Sequence, residues 1–426
     1  MKFVNNLKFL NVVNIVSLSA CHFLSPVNSA PDPLELSKEV QKTLPEYLKP
    51  FPHTEIPEGL PDISAKTCGN CHREIYQEWK ISTHAHAYKD DLQFMAELSK
   101  TDPNDPTSDV TWMCMNCHTP LINQQESLIV DLTDGLNHPH KIPNPFFDAN
   151  LQQEAITCAS CHVREGKIMG PYGNPDNLAP HPVQKSIELT QSRWCNQCHQ
   201  AEAHFPEINL GCFFTTGKEH AASPYQEQSC QDCHMPEIER SLTIGTPKRK
   251  TRYHYFGGSL IPKQTKFADE IKLMESIYTS GLELGKPRVT FDPIEKNWKI
   301  AFSYKNASAG HYLPSGDPER YLLYTVEILD KSNSVITQEK FRIGTEYQWW
   351  PTIQKISDNR LAPLEERIFE HSFPESQLKN KGFWLQIRVE HWRISPKNLE
   401  YHQLEDKVPA FRLLKEVRYE LKQMSP

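Results

Sequence analysis

The sequence is short of apolar residues. Only 38% of its 426 positions are hydrophobic, a low share for a chain long enough to form two or three domains, so other apolar material is expected inside. After the first 21 residues no run is apolar enough to span a bilayer. Charge of one sign is lacking too: a net charge of -7 is modest and of the wrong sign for nucleic acid. From residue 257 onward there is no nucleophile triad, phosphate loop or metal-ligand cluster.

Cysteine and histidine, by contrast, recur in one pattern. Cys-x-x-Cys-His occurs five times: Cys68, Cys71 and His72; Cys114, Cys117 and His118; Cys158, Cys161 and His162; Cys195, Cys198 and His199; Cys230, Cys233 and His234. Ten of the twelve cysteines lie in these units. Two cysteines separated by two residues put both sulfurs on one side of a turn, where they can add to the vinyl groups of one porphyrin. The following histidine then lies beneath the ring as the proximal iron ligand. A disulfide framework gives no reason for the histidines, and zinc ribbons need two halves per metal, which leaves one of five pairs unmatched. With 19 histidines in the chain, five such followers arise by chance with a probability on the order of 10^-7. Five covalent haem c groups are therefore expected, and they supply the missing apolar surface.

Residues 1–21 have the form of an export signal, with Lys2 and Lys8 before a short apolar run that ends Leu18-Ser19-Ala20-Cys21. That ending resembles a bacterial lipobox, which makes Cys21 the lipidated first residue of the mature chain and the membrane its anchor. The alternative is cleavage after Ala30, which would place Pro31 behind the scissile bond, where proline is poorly tolerated. Seven prolines between 31 and 61 predict a semi-rigid tether over 22–61, interrupted by a short helix that starts at Asp32-Pro33 and repeats Leu36, Val40 and Leu44.

Residues 62–256 read as the pentahaem domain. The first unit is followed by a helical pattern, Arg73–Lys80, and then by Ser82-Thr83-His84-Ala85-His86. This opening, together with Cys114-Met115-Asn116-Cys117-His118-Thr119-Pro120, Ile156-Thr157-Cys158 and His234-Met235-Pro236, resembles multihaem cytochromes of the cytochrome c-552/4 type, relatives of the nitrifier tetrahaem cytochrome. The fifth unit departs from that tetrahaem pattern. The resemblance implies that His84 is a distal ligand with His86 packed beside it, and that His254, in His-Tyr-Phe-Gly-Gly, is another. His181 lies between Pro180 and Pro182, a rigid loop suited to holding a ligand. His138, His140, His204 and His220 complete the eight spare histidines of this region. Cys212 belongs to no unit and reads as a small buried residue, with a thiolate ligand as the sharper alternative.

In 257–426 the period changes to two. A connecting helix is predicted through Phe267, Ile271, Met274 and Tyr278, and then Trp298, Ile300, Phe302 and Tyr304 alternate, as do Leu322, Tyr324, Val326 and Ile328, and Phe383, Leu385, Ile387 and Val389. Asp330–Ser334 reads as a hairpin turn. Gly310–Gly316 resembles a loop of β domains appended to other multihaem cytochromes and brings His311 within reach of a haem edge. The fold class expected is α+β: a mostly helical or irregular multihaem cytochrome c domain followed by an antiparallel β-sandwich that docks on or covers the haems.

The function expected is that of an exported, periplasmic or cell-surface lipoprotein that carries electrons between redox protein partners through mostly bis-histidine haems. It reads as an electron carrier rather than an enzyme with its own substrate. Two alternatives stand beside it: a reductase of nitrogen or sulfur oxyanions with one open haem, and a structural or assembling cytochrome. No unit is Cys-x-x-Cys-Lys, the form associated with the catalytic haem of pentahaem nitrite reductases.

Overall fold

The computed structural model describes residues 32–174, 177–349, 351–377 and 383–421; the signal and Cys21 lie outside them. Residues 282–421 form an antiparallel sandwich. In one sheet the strand Asn297–Asn306 is flanked by Leu282–Leu284 and Arg288–Asp292 along one edge and by Glu366–Pro374 along the other. The second sheet runs Gln354–Asp358, Val335–Gln348, Tyr321–Leu329, Phe383–Trp392, Phe411–Leu421 in spatial order. Strict alternation explains the pairing, because Ile300, Phe302 and Tyr304 from the first sheet meet Leu322, Tyr324, Val326, Ile328, Leu385, Ile387 and Val389 from the second in one buried cluster. Each fully buried residue of this size contributes about 1.5–3 kcal/mol, so this half folds on ordinary apolar packing. Asp330 closes the predicted turn by accepting from the backbone of Ser332 and Ser334.

The preceding part has no comparable core. Its regular structure is short helices and two- or three-stranded ribbons, with small apolar clusters between them. The helix Pro33–Lys42 starts as expected, with Asp32 accepting from the amide of Leu34 at 2.9 Å. The stretch after it, expected as a semi-rigid tether, is packed from Leu44 to Phe51. Leu44 and Leu48 are buried against Val110, Trp112 and Met113, while Phe51 packs on Ile63, Leu121 and Leu151 and bonds through its backbone to Pro120 and Ile122. Proline enforces an extended backbone, but an extended backbone can fill a groove as well as cross solvent.

The two halves are packed together. Arg393, at the end of a sandwich strand, donates to Asp91 at 2.9 Å, to Gln93 at 3.1 Å and to the carbonyl of Pro262 at 3.3 Å. Leu92 packs on the cluster of Ile394, Leu399, Leu404 and Val408. The connecting helix is shorter than predicted, Ala268–Lys272. The chain beyond it tightens into turns that lay the Tyr278 ring where a Cβ on Gly257 would come within 2.4 Å of it, so only glycine fits there. Among the described residues no helix is long and apolar enough to cross a membrane.

Candidate functional site

Four of the five Cys-x-x-Cys-His units lie on a short helix that ends at the motif histidine: Thr111–His118, Cys158–His162, Ser192–His199 and Cys230–His234. In the first unit Ala65–Gly69 ends after Cys68, and His72 begins the helix Arg73–Lys80. A helical turn makes cysteines three positions apart neighbours on one face. None of these cysteines is in a disulfide.

Four motif histidines are oriented by backbone carbonyls. Nδ1 of His72 donates to Leu242 at 3.1 Å and that of His162 to Met169 at 2.8 Å, while His118 and His234 donate to Ala87 and Gly257. Such a bond fixes the tautomer and leaves Nε2 with its lone pair free for a metal. Burial lowers His118 and His199 to about 4 and also lowers His72 and His162.

The spare histidines divide into two groups. His254 faces His162 with ring centres 6.2 Å apart, and His84 faces His199 at 6.3 Å. A metal–imidazole bond of about 2 Å on each side, plus about 1 Å from each nitrogen to its ring centre, puts two axial imidazoles about 6 Å apart. Burial lowers both His84 and His254 to about 3. Nδ1 of His254 donates to the carbonyl of Arg252 at 2.9 Å. Its backbone amide donates to Glu78 at 2.9 Å, a buried carboxylate paired with buried Arg240. His181 is close enough to His72 to lower it further. A third pair was not expected as a ligand set: His311 faces His234 at 6.2 Å, its ring within 11° of parallel. By contrast, His86 bonds to Asp90 and stacks on Phe267, while His138 and His140 bond to Asp105 and Asp134. His204 sits on a hairpin near Phe213. The aromatic neighbour of His118 is Phe94, stacked at 3.5 Å, and no histidine is paired with it in this way among the described residues.

The units lie side by side. Cys68 is next to Cys158, Cys117 next to Cys198, and Cys195 next to Cys230 with Cys161 nearby. The fourth unit is thus adjacent to the second, third and fifth, whereas the first adjoins the third. A cavity of about 2320 Å³, lined by the cysteines and histidines of units two, four and five together with His84 and His311, far exceeds the 300–1,000 Å³ of an ordinary ligand pocket. Facing imidazoles, paired thiols and this volume fit several porphyrins.

A model of the family cytochrome c554 and c-prime matches residues 67–138. The fold is also that of a penta-heme cytochrome c552 from Thermochromatium tepidum, with a TM-score of 0.59 at 18% identity over 86% of this chain and all of that one. Residues 67–138 are thus similar to that family, and the fold as a whole is that of the penta-heme cytochrome. A β-glucosidase 3B from Thermotoga neapolitana matches at a TM-score of 0.13 and 11% identity, over 33% of this chain and 17% of its own, too slight to bear on the fold. No curated protein matches the chain. Its helices and antiparallel sheets form the α+β arrangement expected.

The wall of the cavity carries one unusual acid. Burial, with Asp317 and Glu97 close by, pushes Glu319 up to about 8. Its folded state holds a proton that the unfolded chain releases near its ordinary value, so the stabilisation is full below that value and is lost as pH rises through about 8. Denaturation midpoints at about pH 6 and about pH 9 should differ more for the unmodified protein than for Glu319→Gln. Burial also pushes the Cys212 thiol well up, which favours the packing role over a thiolate ligand.

Proposed function

We propose that this protein is an exported pentahaem lipoprotein that passes electrons between redox protein partners through a branched array of mostly bis-histidine haems. The observation that carries this reading is the 6.2–6.3 Å separation of His162 from His254 and of His199 from His84. On it, the ten motif cysteines hold five haems, the five motif histidines serve as proximal ligands, and His84, His181 and His254 serve as distal ligands. Bound haem supplies reversible one-electron chemistry, and axial imidazoles on both faces deny substrate the metal. Burial lowers both His84 and His254, and the Arg252 carbonyl holds the His254 ring, which favours that ligation. The lipobox ending at Cys21 supports a membrane anchor, since several acyl chains hold a protein where one does not. The side-by-side placement of the units supports close packing of neighbouring haems.

One observation favours a second reading. His118 has Phe94 beside it and no facing histidine, which suits a small-molecule reductase with an open second haem. Intact mass of protein from a haem-attaching, export-competent host should give five haems plus acyl chains on Cys21. Electron paramagnetic resonance should find at least four low-spin haems. A mass with fewer haems, or mostly high-spin iron, would sink the conduit reading. Rapid carbon monoxide binding at one haem, with turnover of nitrite or hydroxylamine, would favour the reductase.

A further inference from the structure

We infer that His311, carried by the C-terminal sandwich, is the second axial ligand of the fifth haem, so that the sandwich completes a haem site instead of covering one. The inference rests on the pentahaem reading above. The spacing of His311 from His234, 6.2 Å, equals that of the His162 and His254 pair within the haem domain. Nδ1 of His311 donates to the carbonyl of Tyr312 at 2.8 Å, which leaves Nε2 as the free lone pair on a ring that lines the cavity.

The loop around His311 is built to hold it there. Asn306, fully buried at the end of its strand, donates to the carbonyl of His311 at 2.9 Å. Gly310 lies so close to the haem domain that a Cβ would sit 3.1 Å from Tyr225 and from the ring of His220. Glu219, a buried acid on a helix of the haem domain, reaches across and accepts from the amide of Tyr312 at 3.1 Å, the hydroxyl of Ser315 at 2.6 Å and the guanidinium of Arg360 at 2.7 Å. Glu219 is therefore a positioning residue. It belongs to the domain that carries His234, yet it fixes the loop that carries His311. None of these contacts is needed merely to cover a haem, and together they leave the imidazole little freedom except to face His234.

The test uses full-length protein matured with haem. His311→Gly should retain five covalent haems by intact mass, while electron paramagnetic resonance shows one more high-spin haem than the unmodified protein. Added imidazole should return that haem to low spin. Glu219→Gln should broaden or shift the signal of the same haem and leave the others unchanged. His311→Met decides the matter if the glycine variant does not accumulate: a thioether ligand raises the potential of one haem, which a residue with a packing role alone would not do. Five haems with an unchanged low-spin count in His311→Gly, or five unchanged potentials in His311→Met, would overturn the assignment. Fewer than five haems on the unmodified chain would instead break the reading beneath it.

Discussion

Alanine at both Cys195 and Cys198 is expected to leave four haems attached and to divide the electron path into pieces. The fourth unit is where the others converge: Cys198 lies next to Cys117, Cys195 next to Cys230, and Cys161 near Cys195. The first unit lies next to the third at Cys68 and Cys158. Without the fourth, the first and third remain joined while the second and fifth are each stranded. Stopped-flow reduction of the unmodified protein should fill all haems together. In the double variant the process should split, with two haems reduced in a fast phase and the others orders of magnitude more slowly. The matching change at Cys68 and Cys71 removes an end of the array and should leave the remaining four haems filling together. Equal kinetics in the two variants would show that electrons do not pass through the fourth unit.

Much of this arrangement can be read from the residues, because its signals are local. The Cys-x-x-Cys-His units name their own cofactor, Arg73–Lys80 is helical over its predicted length, and Ile300, Phe302 and Tyr304 alternate into the core as expected. What cannot be read depends on partners distant in sequence. His311 and His84 have similar local surroundings, and only the fold decides which motif histidine each one meets, 77 or more positions away. Glu78 and Arg240 look like two ordinary surface charges until a helix and a ribbon bury them together beside His254. The packed stretch from Leu44 to Phe51 escaped for a related reason: Leu44, Tyr47, Leu48 and Phe51 fall at helical spacing, but Pro45 and Pro50 rule out a helix there, and the extended chain that results carries no periodic signal of its burial.

Replacing Arg393 with methionine should destabilise the protein by roughly 3–5 kcal/mol, the usual result of removing one partner from a buried ion pair. Arg393 and Asp91 are 5% and 3% exposed, and the guanidinium also ties Gln93 and the Pro262 carbonyl to the sandwich. Lys299→Met, which removes a partly exposed pair with Glu370 at 2.8 Å, should cost less than about 1 kcal/mol. Midpoints of chemical denaturation, followed by tryptophan fluorescence, compare the two. The loss should also depend on pH. Lys263 and Arg393 hold Asp91 well below the ordinary carboxylate range despite its burial. Its contribution is therefore present above that range and disappears as pH falls through the folded value, so the gap between the unmodified protein and Arg393→Met should narrow in acid. A gap that widened in acid would mean that Asp91 is not the partner that matters.

The carbonyl that orients His72 belongs to Leu242, 170 positions further along the chain, and this long reach dictates an order of events during biogenesis. If the chain is exported from its N-terminus, as proposed above, the first two cysteines would meet the attachment machinery before Leu242 has crossed. Porphyrin addition needs only the five-residue motif, which is available on an unfolded segment. Orientation of the axial nitrogen must wait until the ribbon at 237–252 has crossed and folded back. On the pentahaem reading, the first haem would thus be joined to the chain before its iron environment is finished, tethered but not yet tuned.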